Sequence, residues 1–267
     1  MKLIAFLQLY NESEKGNLRR CLNNCAQWAD DIVIYDDCST DDSHSIYTKY
    51  TNESNIIYGK ERNFSNEIAH KQQLLQLTLS LNPDWICWMD GDAIFDRECT
   101  EGKLRNYMSM GNSQGIDCWD FHYVNMWKKP GWYRLDNMFN DLRSKSLWKN
   151  NGNLYYRPNG KLHQPQYPNG LRSFAPTSNH ILHYGFAFRN SIINKYLTYK
   201  SYGQHGWDLD RLIDESTLTL EQVPLDWFPK GLVPQLGEKP TSETYNDVKS
   251  FNNWEQYVKQ KDNLCLE

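Results

Sequence analysis

Trp85-Ile86-Cys87-Trp88-Met89-Asp90-Gly91-Asp92 is an apolar run that ends in two carboxylates around a glycine. A short, continuous apolar stretch of this kind predicts a strand buried on both faces. The upstream sequence repeats the theme. Leu3 to Leu7 reads as a first buried strand, and Leu18, Leu22, Cys25, Ala26 and Ala29 follow at helical spacing. Ile32 to Tyr35 reads as a second strand, running into the polar loop Asp36 to Asp42, whose Ser, Thr and Asp residues suit helix caps. Asn55 to Tyr58 is a short third strand. Ile68, Leu75 and Leu79 mark a helix that stops near Asn82-Pro83. Strand and helix in alternation predict an α/β fold with a mostly parallel sheet flanked by helices. Ligands of such sheets bind beyond the carboxyl ends of the strands. Asn11-Glu12, Asp36-Asp37 and Asp90-Gly91-Asp92 all fall at those ends, so three strands direct acidic or amide groups toward one crevice.

The chain has 267 residues, enough to bury a large core without disulfides or a structural metal. Its 29 Lys+Arg against 33 Asp+Glu leave a charge of −4, which argues against a protein held to nucleic acid by phosphate contacts. Aromatic residues reach 14%, which excludes a disordered chain and suggests stacking on a sugar or base as well as ordinary core packing. Cys21, Cys25, Cys38, Cys87, Cys99, Cys118 and Cys265 match no zinc spacing. They read as free thiols, which predicts a reducing, cytoplasmic setting. The N-terminal apolar run is shorter than a signal peptide requires, and no stretch approaches the ~20 apolar residues of a membrane span.

From Gly115 to Pro234 the periodicity fades, and Trp, Tyr, Asn, Gly and Pro dominate. Long aromatic loops around one or two strands are expected there. The last thirty or so residues read as a polar tail with one amphipathic helix near Trp254 to Lys261. The expected organisation is one domain over residues 1–267. It comprises a regular α/β half (1–98), an aromatic-rich half (99–235) and the tail (236–267).

No Gly-x-Gly-x-x-Gly follows the first strand, and no Gly-Lys-Ser/Thr phosphate loop occurs anywhere. A bound nucleotide would therefore need its phosphates neutralised in another way. Asp90 and Asp92 can do this through a divalent cation, and hard oxygen donors favour Mg²⁺ or Mn²⁺. Taken alone, such a pair is often only a solvated turn.

Four segments together are more specific: Tyr10-Asn11-Glu12, Ile34-Tyr35-Asp36-Asp37-Cys38-Ser39-Thr40-Asp41, Arg62 to Lys71, and Met89-Asp90-Gly91-Asp92. In this order and spacing the chain resembles the family 2 glycosyltransferases, with their A-type nucleotide-sugar fold. The second half fits more loosely, through Leu154-Tyr155-Tyr156-Arg157, Leu162-His163 and Leu182-His183-Tyr184-Gly185, a pattern similar to a bacterial and viral branch of the family. The resemblance implies that residues 1–98 are the nucleotide-sugar-binding half and 99–235 the acceptor-binding half, and it implies roles for single residues. Asp37 would accept a hydrogen bond from a uracil or thymine imide, and Tyr10, Asn11 and Glu12 would line the base and ribose pocket. Asp90, beside Gly91, would bind ribose or a metal water, and Asp92 would ligate Mn²⁺ or Mg²⁺. Arg62 or Lys71 would add positive charge near the diphosphate, the alternative for Lys71 being a solvated helix face. His183 would be a third metal ligand or else a hydrogen-bonded core histidine.

The implied reaction is inverting transfer from a UDP- or dTDP-sugar to a carbohydrate acceptor, with a base on the acceptor hydroxyl. Related branches carry His-Glu where this chain has His163-Gln164, and Gln cannot act as a base. The base is therefore open among Asp136, Asp120, Asp208 and His163. Two other readings remain: a sugar-phosphate nucleotidyltransferase, whose Gly-rich first loop is missing here, and a non-catalytic carbohydrate-binding protein.

Overall fold

The computed structural model describes residues 1–157 and 165–264. In chain order the strands and α-helices are β1 (Leu3–Leu9), α1 (Leu18–Cys25), β2 (Asp31–Asp36), α2 (Ser43–Tyr47), β3 (Ile56–Tyr58), α3 (Glu67–Ser80), β4 (Trp85–Trp88), β5 (Ala93–Phe95), α4 (Glu101–Gln114) and β6 (Cys118–Trp127). They continue with β7 (Trp132–Arg134), β8 (Arg143–Lys149), β9 (Phe174–Phe186), α5 (Arg189–Ser201), α6 (Trp207–Asp210), β10 (Leu220–Gln222) and α7 (Trp254–Leu264). The chain packs into two compact units. One holds residues 1–123 and 143–182, the other 124–142 and 183–267, with the divisions falling inside β6 and β9.

The first unit is the α/β body that the alternating pattern predicts. β3, β2, β1 and β4 are neighbours in that order and all parallel, with Leu3 opposite Trp85 and Ile4 opposite Asp31. β8 adds to β4 antiparallel, Ile86 facing Trp148, and β6 adds to β8. β6 and β8 extend this sheet past β4, which would otherwise be an open edge with buried side chains. Phe6, Val33, Ile86, Trp88, Leu74, Leu75 and Trp148 form the core beneath α3. On α4, Thr100 caps the first turn by accepting from Lys103 N–H, and Gly115 ends the helix at φ 72°, a conformation that favours glycine. Gly111 of α4 lies flat on β4, where a Cβ would come within 2.5 Å of the Trp85 ring.

In the second unit β7 pairs antiparallel with β10 and with β6 at Met126. Trp127, Phe139, Ile192, Ile193, Leu197, Leu209, Phe186 and Tyr245 make a separate core, against which Trp254 and Val258 of α7 also pack. The expectation of one or two strands after Gly115 is wrong, since β6 to β10 all lie there. β6 alternates only from Trp119 to Tyr123 and is buried on both faces from Tyr123 to Trp127, so the strand pattern is short. In β9 the inward positions include Thr177 and Asn179, which inverts the usual polarity pattern.

Replacing Gly111 with Val should lower stability by about 1–3 kcal/mol by overpacking against a fully buried Trp. Urea unfolding of the two proteins checks this, with the slope expected to stay constant.

Candidate functional site

Because β1, β2 and β4 run parallel, the loops that follow them leave the same edge of the first unit's sheet. The first two loops are laced together. Asn11 sits at φ 49°, a left-handed conformation that Asn tolerates. Its backbone N–H donates to Ser39 Oγ (2.9 Å), its side-chain amide donates to Thr40 Oγ1 (3.1 Å), and its Oδ1 accepts from Thr40 N–H (2.8 Å). Glu12 faces its own helix. Its backbone oxygen accepts from the N–H groups of Asn17 and Leu18 at 3.0 Å each, and its carboxylate holds Lys15 Nζ at 2.6 Å.

Asp36 and Asp37 divide the work at the end of β2. Asp36 is fully buried and accepts from Ser39 N–H (2.7 Å) and the Tyr47 hydroxyl (2.6 Å), with His44 Nε2 at 3.3 Å. It holds the loop. Asp37 accepts from Asn63 N–H (3.0 Å) and lies 3.7 Å from His70 Nδ1. Burial pushes the Asp37 carboxyl above its ordinary range and holds the His70 imidazole below its own. His70 in turn stacks on Tyr35, with ring centroids 4.4 Å apart. Arg62 is exposed and lays its guanidinium 3.5 Å over the Tyr10 ring.

Lys71 is neither solvated nor open. It is buried in an ion pair with Glu67 (2.6 Å), and its ammonium lies 4.5 Å from the Trp88 ring centroid. Trp88 Nε1–H donates to Asp90 Oδ1 (3.2 Å), and the Tyr123 hydroxyl donates to Asp90 Oδ2 (2.6 Å). The residue between the two carboxylates must be small. A Cβ on Gly91 would meet Leu9 at 2.6 Å and Glu12 at 2.7 Å. Asp90 and Asp92 are both partly exposed, and their hard oxygens suit Mg²⁺ or Mn²⁺. Among the described residues no group of three or more His, Cys, Asp or Glu is placed to hold a metal ion by itself. A cation bound to these carboxylates would draw further ligands from phosphate oxygens and water.

The other anticipated residues have different surroundings. His183 belongs to the second unit, is buried, and is bonded at both ring nitrogens: Nδ1 is 2.7 Å from Asn125 Oδ1 and Nε2 is 3.3 Å from Lys195 Nζ. A metal at Nε2 would have to displace Lys195. Asp136 accepts from Arg134 through two bonds (2.8 and 2.7 Å), from the Thr217 hydroxyl (3.0 Å) and from Thr219 N–H (3.2 Å). Burial alone would raise its carboxyl, but these donors more than offset that and hold it below the ordinary range. Asp120 is hydrogen-bonded and ion-paired to Arg143. Asp208 is exposed on α6. His163 lies outside the described residues. Tyr123 and Arg143 escape a sequence reading. Each sits in a segment without a motif and acquires its partner only through tertiary contact, over 33 and 23 residues respectively. His70 lies within the Arg62 to Lys71 segment, but its place beside Asp37 comes only from packing.

A parallel sheet whose strand ends carry acidic, interlaced loops has the layout in which open α/β folds bind their ligands. The profile of Glycosyl transferase family 2 matches residues 6–197, and the chain belongs to this family, with its A-type fold. A search of curated proteins returns no match. Among solved structures, TarS of S. aureus is similar with a TM-score of 0.46 and 15% identity, over 80% of this chain and 42% of that one. The chain thus spans less than half of full TarS. TarS 1–349 in complex with UDP-GlcNAc gives a TM-score of 0.44 at 15% identity, over 80% and 71%. Glucosyl-3-phosphoglycerate synthase from Mycobacterium tuberculosis, in complex with Mn²⁺, UDP and glucosyl-3-phosphoglycerate, gives 0.30 at 14%, over 46% and 44%.

Asp136→Asn should destabilise the fold by about 3 kcal/mol, because it weakens a buried ion pair from one side. The pair's contribution is complete above the ordinary carboxylate range and is lost as the pH falls through the depressed folded-state value. The gap between wild type and variant should therefore close on acidification, as read by urea unfolding at several pH values. A variant of unchanged stability would refute this structural role.

Proposed function

We propose that this chain is an inverting glycosyltransferase that moves a sugar from a UDP- or dTDP-sugar to a carbohydrate acceptor. The observation that carries the reading is the meeting of Asn11, Asp37 and the Asp90-Gly91-Asp92 turn along one sheet edge in a family 2 chain. Asp37 is buried and oriented by Asn63 N–H, and a carboxylate so fixed can accept the imide N–H of uracil or thymine. Tyr10, under Arg62, offers an aromatic face beside the base and ribose, and Arg62 supplies positive charge for a diphosphate.

Asp92, with Asp90, would hold Mn²⁺ or Mg²⁺, which supplies charge neutralisation to the departing diphosphate. The protein's own contribution is to orient the nucleotide and to accept the acceptor proton. That base must reach the acceptor oxygen with a free lone pair. Both oxygens of Asp136 are held by Arg134, while Arg143 engages only Oδ1 of Asp120, so Asp120, Asp208 and His163 are the residues to test first. The chain has no helix among the described residues long and apolar enough to cross a membrane. A cytoplasmic setting is part of the proposal.

A hydrolysis screen across nucleotide sugars tests the reading, since such transferases can split their donor slowly without acceptor. Release of UDP or dTDP from one sugar donor, abolished by Asp92→Ala, is the expected result. No release from any donor, or release indifferent to Asp92→Ala with Mn²⁺ present, would count against it. Replacing the true base among Asp120, Asp208 and His163 should lower transfer by about 10²–10⁴-fold while nucleotide binding persists.

A further inference from the structure

We propose that Tyr123, together with Trp88, is a positioning residue that fixes the Asp90 carboxylate in the orientation needed for nucleotide binding. The inference rests on the nucleotide-sugar reading of this edge and goes beyond it by assigning residues that carry no motif.

Asp90 follows β4 on a short turn and is partly exposed, so its carboxylate would otherwise sample several rotamers. Two buried donors prevent this. The Tyr123 hydroxyl reaches Oδ2 from β6 at 2.6 Å, a short distance that marks a charge-assisted bond. Trp88 Nε1–H reaches Oδ1 at 3.2 Å. One donor on each oxygen fixes the plane of the carboxylate and leaves each oxygen lone-pair capacity for a ligand.

The donors are themselves held. Tyr123 and Trp88 are 7% and 5% exposed, so neither ring can swing away without opening the core. Lys71 lies 4.5 Å from the Trp88 ring centroid, locked by Glu67 at 2.6 Å, and both ionic groups are buried. A cation over an indole face withdraws electron density and strengthens its N–H as a donor. Glu67, Lys71, Trp88, Asp90 and Tyr123 thus form one chain of contacts from α3 through β4 to β6. This gives Lys71 a role behind Trp88. It acts on the ligand through Asp90 and not by direct contact with the diphosphate.

The physical consequence is coupling. If Tyr123 matters only by holding Asp90, removing its hydroxyl should be felt only while Asp90 is a carboxylate. The experiment is a double-mutant cycle on the full chain, with Tyr123→Phe, Asp90→Asn and the double variant, titrated with UDP in the presence of Mn²⁺. Melting temperatures without ligand show that each variant folds. Tyr123→Phe should weaken UDP binding about 3- to 10-fold, Asp90→Asn should weaken it further, and the double variant should match Asp90→Asn within error. Trp88→Phe, which keeps a ring for Lys71 but deletes the N–H, should show the same masking. UDP affinity unchanged in Tyr123→Phe, or losses that multiply independently in the double variant, would overturn the assignment while leaving the nucleotide reading intact. Failure of the wild-type protein to bind UDP or dTDP would overturn both.

Discussion

The Asp36 carboxylate is fully buried where β2 ends, and the architecture of the edge depends on how its charge is satisfied. Removing a carboxylate from water costs several kcal/mol unless donors replace the solvent. Here the Ser39 amide and the Tyr47 hydroxyl do so, with His44 beside them. Tyr47 is pushed well above the ordinary phenol range by burial and by the neighbouring charge, so it remains a donor at any working pH. These bonds curl the loop that follows Asp36 back toward the end of β2. That curl presents Ser39 and Thr40 to Asn11 and sets Asp37 facing Asn63 and His70. The loops of β1 and β2 are therefore a single laced structure.

The same logic extends to β4. Asp90 is held at a half-buried position by an indole and a phenol that donate to it, and Gly91 lets the turn lie against Leu9 and Glu12 without a clash. Acidic groups collect at this edge because the strands are parallel and each ends in one. Electrostatic repulsion among them would favour binding a cation, which is consistent with the proposed chemistry.

The first half was legible because buried parallel strands are unbroken apolar runs, as in Leu3 to Leu7 and Trp85 to Met89, and the acidic residues follow each run directly. The second half resisted reading for a reason visible in β9. There Thr177 and Asn179 face inward because they bond with Asp120 and Tyr107, and no hydropathy pattern encodes such partners. Site residues followed the same division. Asp37 and Asp90 were marked by motif. Tyr123 was invisible, since its importance comes from packing between segments distant in sequence, and the pairing of His70 with Asp37 arises in the same way. The pairing of Asp136 with Arg134 likewise carries no sequence signal, since a loop carboxylate near aromatics reads the same whether it is held or open.

The edge of this sheet is claimed to bind a pyrimidine nucleoside diphosphate through Asp37 and a divalent cation through Asp92. Isothermal titration of UDP, dTDP and GDP, each with and without Mn²⁺, addresses that claim most directly. The account predicts that UDP or dTDP binds, that Mn²⁺ strengthens the binding, and that GDP does not compete. Equal binding of GDP, or no binding of any of the three with Mn²⁺ present, would contradict it.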